Sequence, residues 1–299
     1  MTRLVIIADA HFNVAKSSLM HIRDHRGCDG HRGPDLMLPC VNFANQSAAQ
    51  GHDVRLVDVG DRIAVKGYDR LLPEQGKLLD AQNQRAYRAS LKGLSSDIPV
   101  AFIDGNHDGA LTTDENSQIL GYNIRSHVIP TNHVDLILWN SNVRPEDYSK
   151  GYEADGLDWL AEQICTGNKR KVILSHIPLD FMLPDFNAAA GNARKHEFHW
   201  FYRNGKEIKD LILRSDRVAA VFNGHMHEMK RISQPVSNLS RQTNPLVTQT
   251  EFVRLPSLSH HLAPGVFTVV DIRERGMSVQ FIGSDHQPAA SMPGFEVSF

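Results

Sequence analysis

Leu4-Val5-Ile6-Ile7-Ala8-Asp9-Ala10-His11 decides how this chain is read: an apolar run ends in an aspartate and a histidine two residues apart. The pattern returns four times. RLVDVG runs into Asp61, VAFIDG into Asn106-His107-Asp108, VILS into His176, and AAVFNG into His225-Met226-His227. Continuous apolar runs of this kind suit strands buried on both faces. An open α/β sheet carries its ligand sites beyond the carboxyl ends of its strands. Five such ends place imidazole, carboxylate and amide oxygen within reach of one point. That donor set, with no thiolate, suits Mn, Fe, Co, Ni or Zn in a catalytic site better than a structural zinc cage.

Composition sets the frame. A chain of 299 residues with 41% apolar and 22% charged residues is that of an ordinary globule with a sizeable core. A formal net charge of −2 gives no general pull toward nucleic acid or an anionic membrane. The three cysteines, Cys28, Cys40 and Cys165, form no C-x-x-C pair and argue against a disulfide framework, so they read as incidental thiols in a reducing, cytoplasmic setting. No run approaches the roughly 20 apolar residues of a membrane span.

Strands are expected at Leu4–Ala8, Val54–Val59, Val100–Ile103, Val172–Leu174 and Val218–Phe222. Between them the spacing predicts a helix over Asp80–Leu94. Another is expected over Leu157–Cys165 with Asp155 as its N-cap, and a third through Leu213, with Asn204 and Glu207 as a capping pair. Beyond His227 the pattern changes. Ser233–Thr250 reads as a long surface loop, Phe252–Leu255, Phe267–Asp271 and Ser278–Ile282 as short antiparallel strands, and the tail from Ser284 as irregular. Residues 1–299 read as a single domain. Two insertions flank the motifs: 12–35, with His21, His25, His31 and three arginines, and 177–203, rich in aromatics. Loops beside a metal rim commonly set specificity. The first also reads as a solvated polar loop, the second as aromatic packing onto the core or onto a partner, which leaves a homo-oligomer open.

The ordered set D-x-H, G-D, G-N-H-D, H, G-H-x-H, spanning Asp9 to His227, resembles the calcineurin-like metallophosphoesterases. The resemblance implies an α/β fold, a four-layer α/β/β/α sandwich of two β-sheets flanked by helices, and two divalent metal ions. Carried over residue by residue, Asp61 bridges the metals; Asp9, His11 and His227 complete the site of one, and Asn106, His176 and His225 that of the other. His107 lies near the leaving group as an acid, and Asp108 orients His107 or a ligand, or else serves the turn. The reaction implied is in-line attack of a metal-bound hydroxide on a small phosphate ester. Three positions depart from the usual pattern. Ala8 replaces a common Ser, so a supporting hydroxyl is missing; Arg62 follows the bridging aspartate, facing substrate or, more safely, solvent; Met226 fills the middle of G-H-x-H.

The phosphate-gripping arginines of the protein-phosphatase branch are absent from Gly60-Asp61-Arg62-Ile63-Ala64 and Asp104-Gly105-Asn106-His107-Asp108. Asp158-Trp159-Leu160 before the fourth motif and a Pro256-Ser257-Leu258 strand after the fifth are more similar to the branch of glycerophosphodiesterases and bacterial cyclic-nucleotide phosphodiesterases. A small phosphodiester is therefore the expected substrate. The alternatives are a phosphomonoesterase, a DNA-repair-type nuclease, which the near-neutral charge disfavours, and a non-catalytic protein-binding scaffold.

Overall fold

A computed structural model describes residues 1–14, 28–63, 73–109, 111–143, 152–179, 202, 204–237, 246–261 and 263–299. Two six-stranded sheets form its centre. The first runs in the order β14 (Phe295–Ser298), β13 (Gly276–Ile282), β12 (Phe267–Arg273), β1 (Thr2–Ile7), β2 (Asp53–Asp58), β3 (Val100–Phe102). The second runs β10 (Lys230–Pro235), β11 (Gln249–Arg254), β9 (Val218–Asn223), β8 (Arg170–Ser175), β5 (Val134–Leu138), β4 (His127–Pro130). A small ribbon pairs β6 (Asn142–Val143) with β7 (Glu153–Ala154). In each sheet the strands preceding the motifs are parallel; antiparallel strands close both edges of the second sheet, whereas the first ends in antiparallel β14 on one side and in parallel β3 on the other.

Three apolar cores separate four layers. Leu4, Ile6 and Val57 of the first sheet meet Leu136, Val172, Ala220 and Phe222 of the second between the sheets. On the outer face of the first sheet, Val5, Ile7 and Leu56 pack under α1 (Gly33–Ala49) and α2 (Pro73–Ser90), with α3 (Thr113–Leu120) adding Leu120. Ile173, Val221 and Phe252 pack under α4 (Leu157–Cys165) and α5 (Gly205–Leu213) on the far face of the second sheet. The expected α/β/β/α sandwich is the fold. Each motif strand has apolar residues on both faces because one face meets the other sheet and the other meets helices.

Several local expectations change. Helix α1 begins inside the 12–35 stretch, with Pro34 in its first turn, where a missing N–H is harmless. Asp155 does not cap α4 as its terminal residue; Gly156 holds that place at φ 70°, and Asp155 accepts from the Gly156 N–H. Asn204 makes no side-chain cap on α5, because its Oδ1 accepts from Ala154 N at 3.2 Å. The Ser233–Thr250 stretch supplies parts of β10 and β11, and β11 pairs parallel to β9 and antiparallel to β10. The tail from Ser284 ends in β14, and Pro256-Ser257-Leu258 is a loop rather than a strand. Most of the two insertions, 15–27 and 180–201, together with 238–245, lies outside the described residues.

Candidate metal centre

Each candidate residue follows a strand that both layers hold in place. The turns are tight enough to force unusual backbone. Asp9 (φ 51°), His11 (47°), Asp61 (55°), His225 (71°) and His227 (59°) all adopt the left-handed conformation. Each such residue costs about 1–3 kcal/mol, which surrounding structure must over-determine. Glycine makes the close approach possible. Gly60, at φ 99°, would drive a Cβ into the Gly105 backbone, and a Cβ on Gly105 would strike the Asp61 carboxylate.

Asp61 stands at the centre. Its Oδ2 lies 3.2 Å from His176 Nε2, 3.9 Å from His107 Nε2 and 4.0 Å from His11 Nε2. One donor cluster is Asp9, His11 and Asp61; another is Asp61, His176 and His225. His227 Nε2 joins the first, 2.8 Å from His11 Nε2 and 3.5 Å from Asp9 Oδ1. Asn106 Oδ1 joins the second, 3.0 Å from His176 Nε2. All seven expected ligands are thus brought together, and all but Asn106, His225 and His227 are buried outright.

Neighbouring groups aim these side chains. The Val59 carbonyl sits 2.9 Å from His176 Nδ1, which places the proton there and turns Nε2 toward the site. His225 N donates to both oxygens of Asp9 at 2.9 Å, and His107 N donates to Asp61 Oδ1 at 2.8 Å. Asp108 is fully buried and accepts from Asp61 N, Arg62 N and Gly105 N. Its place is behind the loop, so it orients the Asp61 backbone rather than His107. The His107 side chain is 31% exposed, against 13% for His227 and none for His11 and His176.

Titration follows from these contacts. Burial alone would raise the Asp61 carboxyl, but His176, His107 and His11 together hold it well below the usual carboxylate range. Burial opposes protonation of His176, yet Asp61 outweighs it and lifts the imidazole to about 9. Burial likewise opposes protonation of His227, which Asp9 and Cys28 lift to about 10. His225 goes the other way, to about 3, through burial and the charge of His176.

Three features escaped the sequence reading. Arg62 faces neither substrate nor solvent. It is fully buried and bonds Asp104, Gln84 Oε1 at 3.2 Å, Asp58 Oδ1 at 3.3 Å and the Ile103 carbonyl at 2.6 Å. The support expected to vanish with Ala8 arrives from the far end of the chain, where the hydroxyls of Ser257 and Ser259 donate to the Asp9 carbonyl at 2.7 and 3.1 Å. Cys28 is not incidental in position. Its Sγ is 3.6 Å from His227 Nδ1, so a thiol does stand beside the donor set. Only the alternation of Ser257 and Ser259 carried a sequence signal, one pointing to a shared face.

The donor set, two carboxylates, four imidazoles and a carboxamide oxygen around a shared Asp61, fits two divalent cations. One solved structure agrees in fold. A dimetal phosphatase from Danio rerio is similar over 100% of this chain and 99% of its own, with TM-score 0.67 and 14% identity. A 5'-nucleotidase from Candida albicans is similar over 95% of this chain and 52% of its own, with TM-score 0.46 and 12% identity. No curated protein matches the chain in sequence. The model of the calcineurin-like phosphoesterases matches residues 2–229, the stretch that holds every candidate ligand, and the chain belongs to that family of two-metal hydrolases.

Proposed function

We propose that this phosphoesterase hydrolyses small phosphodiesters, with Asp9, His11, Asp61, Asn106, His176, His225 and His227 as its metal ligands and His107 as its general acid. The observation that carries the reading is the position of Asp61, shared by both donor clusters and 3.9 Å from the part-buried His107. Asp9, His11 and His227 would hold one ion, and Asn106, His176 and His225 the other. Two bound cations supply positive charge against phosphate oxygens and lower the pKa of a water. The rest is done by side chains. His107 Nε2 holds a proton where solvent and a departing oxygen can reach it. Asp108 fixes the backbone that carries Asp61, and Val59 keeps the lone pair of His176 aimed inward.

The preference for a diester follows from charge. A monoester dianion calls for extra cations around its oxygens, whereas a diester carries a single negative charge. Arg62, adjacent to Asp61 in sequence, is committed to Asp58, Asp104 and Asp108 and is not offered to substrate. The chain acts as one unit in this reading, in keeping with the pairing of Thr2 and Ile272 in one sheet. No described helix is long and apolar enough to cross a membrane. The cysteines are unpaired, which accords with a reducing, cytoplasmic setting.

The test is protein stripped of metal, reloaded with Mn and assayed on bis(p-nitrophenyl) phosphate beside p-nitrophenyl phosphate. Faster diester turnover, lost in Asp61→Ala, is the expected result. Monoester turnover alone would replace the proposal with a phosphatase, and inactivity on both with two metals bound would favour a scaffold.

A further inference from the structure

Arg254 ends β11 at the carboxyl rim of the second sheet. It is only 3% exposed, yet its Nε and Nη1 have no hydrogen-bond partner. Strand alternation fixes its direction. Val253 and Leu255 pack between the sheets, while Phe252 packs against the α4 and α5 layer, so Arg254 stands on the face of Phe252. Its parallel neighbour is Asn223 of β9, which shares that face with Val221.

Asn223 spends its amide hydrogens on the Ser175 carbonyl, the Ser175 hydroxyl and the Ile177 carbonyl, which settles its orientation. That leaves Oδ1 buried without a partner. Two open donors and one open acceptor therefore stand side by side, and Asn223 lies two residues from His225. The same face brings Tyr152 against His225, with ring centroids 5.8 Å apart, so this side of the centre is continuous with the outer layer. Burial pulls the Arg254 guanidinium below its usual range and Glu228 counters it. A cation desolvated without a bonded partner is a net penalty unless an anion completes it. The neighbouring open acceptor calls for a hydroxyl on the same molecule.

We propose that Arg254 and Asn223 form a second subsite beside the metal centre, which takes a phosphate or carboxylate of a hydroxyl-bearing substrate, away from the bond that is cut. The inference rests on the phosphodiesterase reading for its role in selectivity, but its binding chemistry stands on this chain's own residues. It makes Arg254 a specificity residue that selects phosphodiesters bearing a second anionic group and a hydroxyl over diesters that lack them.

The test uses metal-stripped full-length protein with sn-glycerol 3-phosphate as the probe and glycerol as the neutral control, read by calorimetry. Wild type binds glycerol 3-phosphate; Arg254→Gln weakens it by at least about tenfold, and Arg254→Lys restores part of the loss. Equal binding by wild type and Arg254→Gln would put the anion on the protonated imidazoles and overturn the proposal, as would absence of binding to wild type. A second variant covers folding. Arg254→Leu removes an unpaired buried charge, so its unfolding midpoint should equal or exceed that of wild type. A clear fall would make Arg254 a structural partner of Glu228 instead. Binding lost in Arg254→Gln alongside an inactive reloaded wild type would sink the hydrolase reading while the subsite stands. Diester turnover with unchanged anion binding would do the reverse.

Discussion

Asp61 combines charge, burial and backbone strain in one residue: φ 55°, 1% exposure and a carboxyl held low by three imidazoles. Asp61→Asn keeps its shape and removes its charge. Metal content measured by mass spectrometry should fall below two per chain, and diester turnover should drop at least about a hundredfold. Two metals retained with full turnover would remove Asp61 from the bridging place. His107 makes the opposite prediction. His107→Ala should keep both metals and slow turnover by about a hundredfold, more for poor leaving groups than for aryl phosphates. A uniform slowing across leaving groups would argue against an acid. These residues were legible in the sequence because each ends an apolar run. Cys28 was not, since 199 positions separate it from His227 and nothing local links the two. Nor was Arg62, because one residue after a turn carries no signal of which way it points.

Arg62 ties elements together. Around it converge the end of β2 through Asp58, the segment just after β3 through Ile103 and Asp104, α2 through Gln84, and the end of the Asn106–Asp108 turn through Asp108. Gln84 in turn reaches Asn116 of α3, and Tyr87 of α2 donates to Asp58. One cation thus serves three buried carboxylates. Burial raises Asp58 to about 7 and Asp104 to about 6, with Arg62 pulling both back down. Arg62→Met should destabilise the fold by about 3–5 kcal/mol, since it leaves buried carboxylates without their partner. The sign of its pH dependence follows. A carboxyl whose folded value is raised holds a proton in the window from about 4 to 7, and the stability this gives is lost as pH rises through the folded value. Denaturant midpoints should therefore show a larger loss at pH 8 than at pH 5; a constant loss would mean Arg62 acts by packing alone. Element boundaries were legible where periodicity was strong and hidden where polar caps competed. Helix α3 rests on a Thr112–Glu115 capping box, not on an apolar stripe, and β10 alternates half-buried and exposed residues at a sheet edge, so both escaped.

The whole molecule is arranged so that two sheets share one site. The first gives Asp9, His11, Asp61, Asn106 and His107 from the ends of β1, β2 and β3; the second gives His176, His225 and His227 from β8 and β9. The five motif strands were legible, but their division between two sheets came only through the family resemblance, because a continuous apolar run suits any strand covered on both faces. Ions bound at this seam would link the sheets, and the metal-free protein must give up protons to receive them. Asp61, held low, is already ionised at pH 7, and His225, at about 3, is already neutral. His176 at about 9 and His227 at about 10 are protonated, and each must release its proton to present a lone pair. Loading both ions at pH 7 should therefore release about two protons per chain. Titration calorimetry in two buffers of different ionisation enthalpy measures that number directly. Apparent affinity should also rise with pH until these imidazoles are neutral in the metal-free state. Because metal binds the folded chain, saturation a thousandfold above Kd adds about 4 kcal/mol per site, a rise in Tm on the order of 5–10 °C. Loading without proton release would mean that His176 and His227 are not ligands together, while release without thermal stabilisation would mean that the ions do not hold the two sheets to one another.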